Sequence, residues 1–360
     1  MPVNRDRLLE TFCALVRIDN PSGQEAAMAA HLIQRCEALG MACSQDAAGN
    51  VLARLEGRGE PLLFAAHMDS VAVAVGKEPV VRDGVVYSAG DTVLGADDLA
   101  GVTAILEGIE AAREGGDGVR GAEVLFTVQE EVGLKGARAF DYAQLRSKLG
   151  IAFDLNGPVG NICIGSPAHD TFTVTIHGKS AHAGVAPETG VSAIKVAAAA
   201  IAAMPIGRID EETTSNIGTI EGGSANNIVP ERARFKGEIR SRNQAKLAAL
   251  WEQIRQAIES AAAAHGASAE IQYEQHYGPS VLDPESAIVR LAIAAVAAVG
   301  LTPELVVTGG GSDVSIIAQH GIETANLSMG YQQIHSSDEH IEISEIERAA
   351  AIVAHLLAAN

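Results

Sequence analysis

Glu130 and Glu131 close the apolar run Val124-Leu125-Phe126-Thr127-Val128-Gln129. Two adjacent carboxylates at the end of a strand fit for burial repel each other unless a cation stands beside them, and a metal ion is the natural candidate. An isolated Glu pair is more often solvated surface, so the chemistry rests on its companions. His67 and Asp69 follow the strand-like stretch Pro61-Leu62-Leu63-Phe64-Ala65-Ala66. Residues two apart in an extended chain point the same way, so the Asp69 carboxylate can orient or polarise the His67 ring, as carboxylates behind ligating histidines do. Gly95-Ala96-Asp97-Asp98 delivers two aspartates to the start of an Ala-rich helical segment, where either could simply cap the helix. Asp154 ends the run Gly150-Ile151-Ala152-Phe153, and His335 stands in Gln332-Gln333-Ile334-His335-Ser336. Alone, one reads as a turn former and the other as a surface histidine.

The set is more specific than its members. Apolar strands ending in His-x-Asp, Glu-Glu and Asp, with Asp-Asp opening a helix, place nitrogen and oxygen donors along one edge of an α/β sheet. That edge, beyond the carboxyl ends of the strands, is where open α/β sheets bind ligands. Two neighbouring divalent ions need about five protein ligands including a bridging carboxylate, and imidazole with carboxylate suits zinc, with cobalt or manganese as alternatives.

Strand and helix patterns alternate up to about residue 165, as expected of helices packed on a mainly parallel sheet. Residues 170–177 and 232–240 instead alternate polar with apolar, the pattern of an antiparallel sheet with one wet face. Helical stretches near 190–203 and 243–264 accompany them. The expected fold is α/β, a mainly parallel sheet flanked by helices, carrying an inserted α+β unit. The main domain spans residues 1–166 and 280–360, and the insertion residues 167–279.

A chain of 360 residues with 47% apolar content is long enough for two cores. The formal charge of −19 and the lack of a basic stripe argue against nucleic acid. No run is long and apolar enough to suggest a membrane span, and Met1-Pro2-Val3-Asn4-Arg5 opens no signal peptide, so a cytoplasmic location is expected. Cys13, Cys36, Cys43 and Cys163 lack metal-site spacing and read as reduced thiols.

The ordered series His67-x-Asp69, Gly95-Ala96-Asp97-Asp98, Glu130-Glu131, Asp154 and His335 resembles the cocatalytic dizinc aminoacylase and carboxypeptidase superfamily of metallopeptidases, and within it the peptidase T-like tripeptide aminopeptidases. The resemblance runs over essentially the whole chain. It implies that Asp97 bridges two ions, His67 and Asp154 bind one, and Glu131 and His335 bind the other. Glu130 would bind neither and act as general base. The insertion becomes a lid and dimer contact. In it His182, in Gly178-Lys179-Ser180-Ala181-His182, would stabilise the oxyanion, while Asn227 and Arg240 would hold the substrate's terminal carboxylate. The loop Thr308-Gly309-Gly310-Gly311 lacks the Lys of a phosphate loop, and Gly310 and Gly311 resemble cleft-bordering glycines that bind substrate through backbone amides. Leu99 replaces a frequent Lys, and Ser336, Ser337 and Asp338 precede Glu339 with the usual His-x-x-x-Glu spacing kept.

The expected function is metal-dependent hydrolysis of amide bonds in short peptides, in the manner of a tripeptide aminopeptidase. A carboxypeptidase or N-acyl amino acid deacylase on the same dinuclear site is the alternative, and a non-catalytic binding protein a more distant one. A short peptide is the expected substrate, and a homodimer formed through the lid the expected assembly.

Overall fold

The computed structural model describes residues 3–116 and 118–358. The chain divides into two compact units, one of residues 1–165, 281–307 and 312–360, the other of residues 166–280 and 308–311.

The first unit is built on a mixed sheet. Its strand order is Ala42–Gln45, Val51–Leu55, Arg120–Thr127, Arg58–His67, Leu149–Leu155, Glu323–Ser328 and Asn161–Ser166. The strands from Arg120–Thr127 to Glu323–Ser328 run parallel, and the pairings outside them in that order are antiparallel. From Leu62 to His67 every residue is buried, because helices cover both faces of a parallel sheet and leave no wet side to alternate with. Helix Ala96–Glu114 is sunk almost entirely into the unit. Gly101 explains how: a Cβ there would lie 2.7 Å from the Phe153 carbonyl, so only glycine lets the helix approach that strand. Helix Ile343–Ala358 adds a face of Ile346, Ala350, Val353 and Leu357 to the same core.

The strand expected to end in Glu130-Glu131 stops at Thr127. Gln129 takes a φ of 54°, and the Gly133 and Leu134 amides donate to the Glu130 carbonyl. The carboxylate pair therefore sits in a turn beyond the strand, and it is the turn that separates the two side chains.

The second unit is antiparallel. Its strands lie in the order Gly207–Arg208, Thr213–Gly222, Arg232–Ser241, Ala168–His177 and Ser268–Tyr277. Ala233, Phe235 and Ile239 share a core with helices Ala193–Ala203 and Gln244–Ala264, while Arg232, Arg234, Lys236, Glu238 and Arg240 alternate onto the other face. Both helices begin at side-chain caps, Ser192 accepting from the Lys195 amide and Asn243 from those of Ala245 and Lys246. Residues 308–311, assigned from sequence to the main domain, cluster instead with this unit. Arg240 reaches the Gly309 carbonyl at 3.4 Å, and Gly311 lies so close to the Tyr277 ring that any side chain would collide with it.

Candidate metal centre

Three parallel strands of the first unit end side by side, and each hands its last residues to the same place. His67 terminates Arg58–His67, with Thr127 as its neighbour in register. Its Nδ1 lies 3.0 Å from the Asp69 carbonyl and 3.5 Å from the Asp69 carboxylate. The backbone oxygen thus makes the better hydrogen bond, and it leaves Nε2 as the donor atom of the ring. The Asp69 carboxylate, within reach of the His67 ring, has a further task as well. It accepts the Glu130 and Glu131 amides at 2.9 and 3.3 Å and the Ser22 hydroxyl at 2.7 Å, so it fastens the glutamate turn to the histidine loop.

The two aspartates that open helix Ala96–Glu114 have separate roles. Asp98 caps, its Oδ1 accepting the Gly101 amide at 3.1 Å. Asp97, joined to it by a cis peptide bond, faces the histidines instead. Its Oδ1 is 3.3 Å from His67 Nε2 and its Oδ2 is 3.4 Å from His335 Nε2. One carboxylate thereby addresses imidazoles from opposite ends of the chain with different oxygens. His335 is also 2.9 Å from Glu131 Oε1.

These donors fit a metal. A tetrahedral ion with bonds of about 2.0–2.1 Å holds neighbouring donors roughly 3.3–3.4 Å apart, which is the spacing of Asp97 from each histidine. One ligand atom each from His67, Asp97 and Glu131 falls within 4.8 Å of the others. The donor set is nitrogen and oxygen, and the four cysteines are free and outside it.

Two family profiles match the chain: a peptidase dimerisation domain over residues 164–266 and peptidase family M28 over residues 50–183. An uncharacterised Bacillus subtilis protein, YqjE, is 40% identical over 99% of this chain and 98% of its own length. The crystal structure of aminopeptidase PepT from Bacillus cereus shares 37% identity and a TM-score of 0.95, covering 99% of this chain and 98% of that one. The chain belongs to the peptidase T group of the aminoacylase and carboxypeptidase superfamily of metallopeptidases. A tripeptidase structure from Staphylococcus aureus agrees, at 35% identity and a TM-score of 0.97 over 99% of both chains.

Several further side chains, to which the sequence reading gave no role, support this peptidase T-type centre. Asp154, near the end of Leu149–Leu155, is held through its backbone by Asn326, which accepts its amide at 2.9 Å and donates to its carbonyl at 2.6 Å. The Tyr331 hydroxyl reaches Asp154 Oδ1 at 3.4 Å. Thr127 donates to Asp313, whose other oxygen is a buried atom with no hydrogen-bond partner among the described residues. Glu339 accepts the Gly95 and Asp97 amides at 2.7 and 3.1 Å. Glu339 had a signal in its spacing from His335, and Asn326 had one as an amide inside an apolar strand. Asp313 and Tyr331 had none.

In the second unit, His182 and Asn227 come together at a two-stranded ribbon of Ala181–His182 and Ile228–Val229, where the Ala183 amide donates to the Asn227 carbonyl at 2.9 Å. His182 is exposed. Glu238 grips Arg240 with two hydrogen bonds of 3.1 Å. The Gly310 amide donates to Thr308 Oγ1 at 3.1 Å, so of the two glycines only Gly311 has an amide without such an internal bond among those described.

Electrostatics of the metal-free chain favour bound protons. Burial, then repulsion from Asp154, Asp313 and Glu131, raises the Glu130 carboxyl well above its ordinary value. Burial and Asp97 do the same to Asp154, and burial lifts Asp313 to about 6. Asp97 moves the other way, because hydrogen bonds with His335 and His67 outweigh the effect of its burial. His335 is pushed up to about 10 by Asp97 and Glu131. Each raised group contributes stability that is complete below its unfolded pKa and lost as pH rises through its folded one. The folded chain therefore holds more protons than the unfolded chain, and its stability should fall between about pH 5 and 8. His31 and, toward pH 8, Lys77, both lowered by burial, oppose this. Thermal unfolding in chelator should show a lower midpoint at pH 8 than at pH 5.5, with added metal raising the midpoint most at pH 8. A metal-free midpoint that climbs with pH would contradict the charge distribution described.

Proposed function

We propose that the chain hydrolyses amide bonds of short peptides with two divalent ions, in the manner of a tripeptide aminopeptidase. The observation that carries this is Asp97, whose two oxygens each face a different histidine at the spacing of ligands on one ion. His67 and Asp154 would hold one ion, His335 and Glu131 the other, and Asp97 both, with zinc favoured by the imidazole and carboxylate donors and cobalt or manganese acceptable. Bound there, such ions polarise a carbonyl and acidify water to a pKa of about 7.

Glu130 is then the base. Its backbone is anchored by Asp69 in the same turn as Glu131, and among the described residues no histidine hydrogen-bonds its carboxylate, which is left to take a proton from water and return it to the leaving amine. On this reading His182 donates to the oxyanion, and Asn227, Arg240, Gly310 and Gly311 bind the peptide's carboxylate, for which a guanidinium fork is suited. The relatives named as an aminopeptidase and a tripeptidase favour cleavage from the amino end. The dimerisation profile over residues 164–266 favours a homodimer formed through the second unit.

Elemental analysis of the purified chain, followed by assay on tripeptides, carboxypeptidase substrates and N-acyl amino acids, tests the proposal. Two ions per chain with tripeptide cleavage are expected, and light scattering should give twice the chain mass. Preference for acylated amino acids would make the chain a deacylase on the same centre. Full activity in metal-free protein would end the reading.

A further inference from the structure

A buried lysine that this chemistry does not use stands behind the centre. Lys77 is 3% exposed, and its ammonium donates to Asn20 Oδ1. It is also packed against the turn that leads into Asp97, since a Cβ on Gly95 would lie only 3.0 Å from Nζ. Gly95 has a φ of 75°, a backbone conformation that favours glycine, and the ammonium fills the space a side chain would take. Burial lowers the Lys77 ammonium to about 8, and the charge of Glu339 opposes that fall. Glu339 is itself 2% exposed, and its carboxylate spans the Gly95 and Asp97 amides at 2.7 and 3.1 Å.

Asn20 carries the network to the histidine loop. Its Nδ2 donates at 2.8 Å to the carbonyl of Met68, the residue between His67 and Asp69. Its own carbonyl accepts the Ser70 amide at 2.9 Å, and the Ser22 amide donates to the Ser70 carbonyl at 3.0 Å. Segment 20–22 thus runs along the loop that presents His67. Buried hydrogen bonds run from Met68 through Asn20 to Lys77, and the ammonium packs on the Gly95 turn within the field of Glu339, which holds the Gly95 and Asp97 amides.

We infer that Lys77, acting through Asn20 and Glu339, is a positioning residue that sets the spacing of His67 and Asp97 and with it the affinity of the centre for its ions. A buried charge is at best a weak source of stability, and an apolar group of similar volume often serves as well. What a fixed ammonium adds is direction, because the loop cannot shift without leaving a buried polar group of Asn20 or Lys77 unpaired, and the turn is packed against the same ammonium. The helix opening at Asp97 and the strand ending at His67 are separate elements, and the Lys77 network is a tie between them that does not pass through the ligands themselves.

This inference rests on the metal reading above, and the experiment separates the two. Lys77→Met removes the charge at nearly constant volume. Asn20→Ala cuts the link to the loop and keeps the lysine. Each variant and the parent are stripped with chelator, checked for folding by circular dichroism, and titrated with cobalt while the visible d–d bands are recorded. Both variants should bind cobalt about 10–100-fold more weakly, the typical cost of losing a partner behind the ligands, with altered d–d bands. In a double-mutant cycle with Glu339→Gln, the loss from Lys77→Met should be less than additive. If Lys77→Met does not fold, Asn20→Ala is judged by the same affinity and spectrum. Folded variants with parental cobalt affinity and bands, beside a parent that binds two ions, overturn the positioning role alone. A parent that binds no metal overturns the metal reading and the inference with it.

Discussion

Glu130→Gln should bind metal as the parent chain does and cleave short peptides about 10²–10⁴-fold more slowly, the usual contribution of a positioned general base. The substitution keeps the shape of the side chain and its anchoring turn, since the backbone bonds from Glu130 and Glu131 to Asp69 do not involve the side-chain carboxylate. It removes only basicity. The drop should appear in kcat with little change in KM, because the group acts on the proton in transit and not on peptide binding. A variant with parental turnover would take the base assignment away from Glu130. One that lost its metal would instead mark Glu130 as a ligand and exchange its role with Glu131.

Asp97→Ala should do more, and to the metal first. Asp97 lies in contact range of both His67 and His335, at 3.3 and 3.4 Å. Without it the two halves of the centre have no shared donor. Metal content should fall below two ions per chain, and the loss of affinity should exceed the roughly 10–100-fold expected for a residue that merely supports a ligand. Peptide cleavage should fall with it. Asp98→Ala is the matched control. It removes the cap bond to Gly101 at 3.1 Å and should lower stability by about 1 kcal/mol, leaving two ions bound. Equal metal loss in both variants would show that the centre does not distinguish the aspartates.

The resemblance on the ordered motifs identified the peptidase T type of chain, and the 35–37% identical solved structures support it. The residue types of the centre were legible because they are local. A strand that is apolar to its last residue and then carries His or Asp announces a site at its end, and parallel strands share the end at which they stop. The wet and dry faces of the second unit were equally legible in the alternation of 170–177 and 232–240, since that period is set by the chain itself.

Tertiary structure decided what depends on neighbours far along the chain. Glu130 and Glu131 read as strand residues, but the backbone turns at Gln129, and no propensity in Val128-Gln129-Glu130 announces a φ of 54° there. Read by themselves, Asp97 and Asp98 were equivalent candidates for capping, the resemblance alone singling out Asp97 as a ligand, and the positions of Gly101, His67 and His335 give the two different neighbours. Residues 308–311 changed unit because the Tyr277 ring covers Gly311. Lys77 and Asn20 carry no signal, as a lysine followed by Glu-Pro looks like any surface lysine until Asn20 and the Gly95 turn close over it. The sequence by itself determined which donors this protein offers and at which strand ends. The fold alone decided their spacing and the buried groups that hold it, because distances between residues tens to hundreds of positions apart are set by packing and not by the chain's local chemistry.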